Sequence, residues 1–328
     1  MGPDIVKLLP EFDASRLQEE LFALGGERFK PQATYSKGEI TQSLTDGWRV
    51  LSLRGPDGDP ERTDAGGPGL VDYADTPLMR EVPYTASVLK GLDLPLRAVR
   101  YMTLEPGAAV AEHTDYPYGL PVGWVRLHIP IVTNDQAVLI LKGVENRWQP
   151  GELWYANFGR PHHLYNHGTH PRVHLVVDCY ASEALLDLFP EKARQEMDLA
   201  EIMFYREELV ASPDDDLHSL TGSVSVPAGF LQAYAEPPSP EEFAALGSSD
   251  AIGSLRVSDG RLILKVEGHY EHVLICVEEG EFRKLGWTEE RTIKITIDGG
   301  VPQIEFRYRH GSYQTEIVRS NRPRQNDL

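Results

Sequence analysis

The chain has 328 residues, 41% hydrophobic and 25% charged, an ordinary balance for a globular protein with room for one large domain or two smaller ones. Its formal charge of −18 argues against the basic surface that nucleic-acid binding needs. With only Cys179 and Cys276 there is no disulfide framework; no run is apolar for the length of a membrane span and "MGPDIVKLLPEFD" lacks a secretory pattern, so a cytoplasmic location is expected.

The segment "DASRLQEELFAL", residues 13–24, places Asp13 to cap a helix in which Leu17, Leu21, Phe22 and Leu24 share a face. "WRVLSLRG" alternates like a strand, and "PDGDPERTDAGGPG" is so rich in glycine, proline and aspartate that it reads as loop. "TPLMREVPYTASVLKGL" reads as a helix interrupted or begun near Pro83. From 96 to 180 the chain turns to short strands: "LRAVRYMTL", "WVRLHIPIV", "AVLILKG", "GELWYANF" and "RVHLVVDCY". Their even spacing and Gly/Pro/Asn punctuation predict a barrel or sandwich, not a doubly wound sheet. "EALLDLFPEKARQEMDLAEIMFYREELVA" is helical in pattern, and alternating stretches around Asp-Gly turns resume after it. The expected partition is a first domain over 1–190, a helical segment and linker over 191–221, and a β-rich C-terminal domain over 222–328. An acidic turn at Asp214 to Asp216 and a frayed tail complete the reading.

Seven of the eleven histidines lie between 113 and 174. His113 and Asp115 form an H-x-D pair, and residues i and i+2 of an extended segment point the same way. Two histidines and one carboxylate on one face of a metal are the ligand set of a non-haem Fe(II) oxygenase, whose open face takes a chelating cosubstrate and dioxygen. A third ligand is expected downstream, where "FGRPHHLYNHGTHPRVHLVVDC" offers several histidines. Arg172 lies ten residues beyond His162, and an arginine fork there suits the distal carboxylate of 2-oxoglutarate. Period-2 alternation puts Arg172, His174 and Val176 on one face, and likewise Arg126 and His128 on one face of "WVRLHIPIV".

The segment from about 76 to 180 resembles the aspartyl/asparaginyl β-hydroxylase family, which includes cis-proline hydroxylases. The resemblance rests on "TPLMREVPYTASVL", "YMTLEPGAAVAEHTD", "VRLHIPIV" and "GELWYANFGRPHHLYNHGTHPRVHLVVD". It implies a mainly β fold with flanking helices, a double-stranded β-helix (jelly-roll, cupin-like) core, here with a smaller β-rich C-terminal domain. It also implies Fe(II) and 2-oxoglutarate with dioxygen, and hydroxylation of an amino-acid side chain, free or in a peptide or protein. The family register of Gly151, His162 and Arg172 selects His162, not His163, as the third metal ligand beside His113 and Asp115. By the same resemblance Arg172 is the cosubstrate clamp, and Arg126 and His128 line its pocket.

Each assignment has a plainer alternative. An isolated H-x-D is a surface turn; Arg172 could make a salt bridge; Arg126 and His128 could be a bonded pair in the barrel wall. His163, His167 and His170 read most simply as solvated loop residues, with contact to substrate or to the metal's ligands as the alternative for one or two of this group, and His174 is the one expected inside. A metal cupin of another kind, a sensor or an isomerase or hydrolase, is the rival for the whole reading, although neither needs an arginine clamp for a dicarboxylate. The C-terminal domain could serve a larger substrate, a homodimer, or simple support of the barrel.

Overall fold

The computed structural model describes residues 2–36, 39–43, 45–115, 118–209, 217–231, 239, 241–242, 245, 250–268, 271–299 and 301–320. Its contacts define two units, Met1–Gly66 with Asp72–Phe204, and Gly67–Val71 with Tyr205–Leu328. The acidic turn at Asp214 to Asp216 and the tail from 321 lie outside the described residues.

The first unit carries strands β1 (Ile5–Glu11), β2 (Lys30–Pro31), β3 (Ala33–Ser36), β4 (Glu39–Gln42), β5 (Trp48–Pro56), β6 (Tyr73–Asp75), β7 (Leu96–Leu104), β8 (Ala109–His113), β9 (Trp124–Val132), β10 (Ala137–Leu141), β11 (Val144–Asn146), β12 (Glu152–Ala156), β13 (His162–Asn166) and β14 (Arg172–Tyr180). Helices α1 (Ala14–Leu24) and α2 (Pro83–Leu92) precede β7, and the short α3 (Glu183–Asp187) and α4 (Glu191–Gln195) follow β14. One sheet runs β1-β12-β9-β14-β7-β5-β2 with β6 on β5, and a smaller one runs β11-β10-β13-β8. Leu139, Leu141 and Leu164 of the small sheet pack with Ile5, Trp154 and Ala156 of the large one, closing the double-stranded β-helix.

The large sheet is buried on both faces, which is why β14 is covered along its whole length. Val173, Leu175, Val177 and Cys179 join a core with Leu17, Leu21 and Leu24 of α1 and Val88, Leu89 and Leu92 of α2. Alternation leaves Arg172, His174, Val176 and Asp178 for the face toward the small sheet. Arg126 and His128 share that face, because β9 pairs with β14 through His128↔Val176 and Arg126↔Asp178.

Asp13 caps α1 as expected, accepting from the backbone N–H groups of Ser15 and Arg16. Phe22 does not share the buried face: it is 66% exposed. Five residues beyond Leu17 at about 100° each is roughly 140° around the helix. α2 begins at Pro83 after a short 3₁₀ turn over Pro77–Glu81, so the proline starts the α-helix. β1, unrecognised in the sequence because Lys7 and Pro10 interrupt its alternation, is an edge strand pairing Val6 with Tyr155. Gly151 sits at φ 85°, and a Cβ there would meet the Phe12 carbonyl oxygen, so the turn into β12 requires glycine.

The second unit is an eight-stranded antiparallel meander, each strand pairing with the next, from Gly222–Pro227 to Tyr313–Ser320. The Asp259-Gly260 turn, both residues at positive φ, joins two of its strands as the sequence pattern requires. One apolar cluster of its interior is built on residues such as Val226, Leu264, Ile304 and Phe306.

Candidate metal centre

β8 ends on His113 and β13 begins on His162, and the two residues are paired directly across the small sheet. Their rings lie 4.3 Å apart, centroid to centroid. Asp115 follows β8 by two residues, and its backbone N–H donates 2.8 Å to the Phe158 carbonyl, turning the segment inward. One potential ligand atom from each of His113, Asp115 and His162 lies within 4.8 Å of the other two, the one such cluster among the described residues.

Backbone carbonyls orient both imidazoles. His113 Nδ1 is 2.8 Å from the Ala111 oxygen, and His162 Nδ1 is 2.9 Å from the Arg160 oxygen. A carbonyl can only accept, so each Nδ1 carries a proton, which leaves Nε2 as the nitrogen each ring can offer to a metal. Burial lowers the His162 pKa by more than the neighbouring Asp115 raises it, favouring the neutral form that binds metal. Asp115 divides its oxygens: Oδ2 is ion-paired with Arg126, and Oδ1 lies 3.5 Å from His113 Nε2.

Behind Asp115 runs a chain of buried charges. Arg126 donates from Nε to Asp178 Oδ1 at 2.7 Å and from Nη2 to the Tyr118 hydroxyl at 2.8 Å. Asp178 also accepts from Arg100 Nη2 at 2.8 Å. Burial opposes ionisation of Asp178, but Arg126 and Arg100 outweigh it and hold the carboxyl at about 2.

Arg172 opens β14 on the same inner face and is buried. Among the described residues its guanidinium has no hydrogen bond or ion pair, and burial pulls its pKa down to about 9. Nearby, His128 and His174 place their Nδ1 atoms 3.2 Å apart. Burial, with Arg172 second, keeps both well below the ordinary histidine pKa. Their neutrality has a measurable consequence for stability. Unfolding lets both take protons below the ordinary value of 6.5, so the unfolded chain binds more protons and stability must rise with pH in that range. The stability of the metal-free protein against denaturant should therefore fall as pH drops from about 6.5 toward 5. Each proton gained contributes up to about 1.4 kcal/mol per pH unit. A flat profile over that window would mean the pair is already charged in the folded state.

His113, Asp115 and His162 thus come together, Arg126 sits directly on Asp115, and Arg172 lies on the inner face with His128. His174, expected inside, is buried. His163 lies 3.7 Å from Glu112, and His167 stacks on Tyr165. Sequence reasoning missed Asp178 and Arg100. Asp178 had a signal, since it continues the 172-174-176 alternation. Arg100 had one as well, as a cation within an apolar strand.

A family model described as aspartyl/asparaginyl beta-hydroxylase matches residues 11–182. Among solved structures, a prolyl hydroxylase from Trichoplax adhaerens, in complex with a hypoxia inducible factor peptide fragment, is similar at 13% identity and TM-score 0.36, over 60% of this chain and 87% of that one. A Pseudomonas putida prolyl-4-hydroxylase is similar at 15% identity and TM-score 0.33, over 54% and 92%. An oxidoreductase of the 2OG-Fe(II) oxygenase family from Burkholderia pseudomallei is similar at 10% identity and TM-score 0.35, over 53% and 83%. Among the described residues no helix is long and apolar enough to cross a membrane.

Proposed function

Because this chain belongs to the aspartyl/asparaginyl β-hydroxylase family, and is a 2-oxoglutarate-dependent hydroxylase, we propose that it hydroxylates an aspartyl or asparaginyl β-carbon or a proline ring carbon, free or within a peptide or protein. In this reading His113, Asp115 and His162 hold Fe(II), and Arg172 clamps the far carboxylate of 2-oxoglutarate with His128 beside it. Once bound, iron, 2-oxoglutarate and dioxygen supply the oxidation, in which the 2-oxo acid loses carbon dioxide to become succinate and a substrate C–H becomes C–OH.

The residues fit these groups. Two imidazoles aligned to offer Nε2, with one carboxylate, form the donor set of a facial iron site. The observation that carries the reading is Arg172, a buried cation with no anion among the described residues. Leaving such a charge uncompensated costs several kcal/mol, so a ligand carboxylate is its natural partner. Arg126 is already engaged by Asp178 and Asp115. Its part is to fix one oxygen of Asp115 and leave the other for the metal. The side chains of His113 and Asp115 remain 31% and 23% exposed, which lets a residue borne on a peptide approach from that side.

The test is anaerobic addition of Fe(II) and 2-oxoglutarate to the metal-free protein. A weak visible charge-transfer band is expected, and Arg172→Ala should raise the 2-oxoglutarate KM roughly 100-fold, the scale of losing hydrogen bonds to a charged group. Iron affinity should not change. An unchanged KM would remove Arg172 from the clamp. A protein that binds divalent metal without giving the band would be a metal cupin with another activity.

A further inference from the structure

Trp148, which follows β11, has no part in the reading above. It is 4% exposed, and its indole N–H is fully covered yet meets no acceptor among the described residues. Its ring is not free to turn away. It stacks on Trp154 at 5.2 Å and 10°, and Trp154 donates from Nε1 to Glu152 at 2.9 Å. Glu152 is itself ion-paired with Lys7 at 2.8 Å. The Trp148 ring lies 5.6 Å from His128 and 6.0 Å from His174, the two histidines whose proton affinity is depressed by burial first and Arg172 second. His128 Nε2 is likewise covered and without a partner.

The covered indole N–H, on the segment after β11, thus lies beside a covered imidazole nitrogen on β9, and the uncompensated guanidinium opens the neighbouring strand β14. Burying a donor without an acceptor is costly, and one ligand could answer this whole group. A carboxylate brings several lone pairs and a full negative charge, and can answer the guanidinium and the neighbouring donors together. A water molecule answers the N–H but not the charge. If His174 Nδ1 donates to His128 Nδ1, the remaining His128 proton sits on Nε2 and adds a further donor.

We propose that Trp148 donates its indole N–H to the distal carboxylate of 2-oxoglutarate, beside Arg172, and so helps select a dicarboxylic 2-oxo acid over a monocarboxylic one. This rests on the 2-oxoglutarate reading above. Trp148→Phe removes the N–H and keeps an aromatic ring to stack on Trp154. Anaerobic titrations of the Fe(II) protein, followed by the visible band, give dissociation constants for 2-oxoglutarate and for 2-oxopentanoate, which has a methyl group in place of the distal carboxylate. W148F should bind 2-oxoglutarate about tenfold more weakly, with 2-oxopentanoate and Fe(II) binding unchanged. The preference for the dicarboxylate should shrink by the same factor, which a general loosening of the fold would not produce.

W148F binding 2-oxoglutarate as tightly as the parent, with the preference intact, overturns this assignment alone. A parent that binds Fe(II) and gives no band with either acid overturns the 2-oxoglutarate reading and this assignment with it. Should W148F fold poorly, ¹⁵N spectra of the parent loaded with Zn(II) decide. One of its five indole N–H signals should move with 2-oxoglutarate and not with 2-oxopentanoate. Identical indole spectra with the two acids would refute the contact.

Discussion

Replacing Asp178 by asparagine should destabilise the protein by about 3–5 kcal/mol and weaken Fe(II) binding on the order of 10–100-fold. The carboxylate is buried between two arginines, accepting from Arg100 at 2.8 Å and from Arg126 at 2.7 Å. An amide of the same shape leaves the buried Arg100 without its anion and Arg126 with Asp115 alone, and the cost of an unpaired buried charge exceeds that of an ordinary lost hydrogen bond. The metal effect follows from geometry. Arg126 is oriented by Asp178 and in turn holds Asp115, so its guanidinium loses the support that keeps one Asp115 oxygen engaged and the other available. Denaturant unfolding and a metal-binding titration on D178N check the two halves independently. A variant that is destabilised but keeps the parental iron affinity would show that the charge chain supports the fold and does not position the ligand.

Asp115→Ala should abolish turnover and raise the Fe(II) dissociation constant by on the order of 100-fold or more, beyond what an outer partner costs. Asp115 is the one carboxylate in the three-residue cluster, and the two imidazoles supply no negative charge to match the dication. The substitution also takes one anion from Arg126, which still has Asp178, so the fold should survive. That separates it from D178N: the expected loss is in metal binding and turnover, with little change in unfolding. Parental turnover in D115A would remove Asp115 from the metal site outright.

The main elements were legible because they rest on local rules. Asp13 before an apolar periodic run marks a capped helix start, and Pro83 marks the first turn of α2. The alternation in β9 and β14 separates core-facing from inward-facing residues, since successive side chains must point to opposite faces. The same rule aimed His113 and Asp115 together and set Arg172 with His174.

Partnership was not legible in those terms. The chain specifies that Asp178, Arg126 and Arg100 face inward. Only the order β9-β14-β7 makes them neighbours, because β14 must lie between the other two for Asp178 to reach both arginines. A register shift between β7 and β14 near Leu96 decides a further case. It breaks the alternation, so Arg97 stacks 3.8 Å over inward-facing Trp124 although Arg97 and Arg100 are an odd number apart. Alternation belongs to one strand, and sequence alone determines it. Which charge answers which, and which buried donor is left for a ligand, depends on long-range pairing that brings residues 46 to 78 positions apart into contact, and that was decided by the tertiary structure.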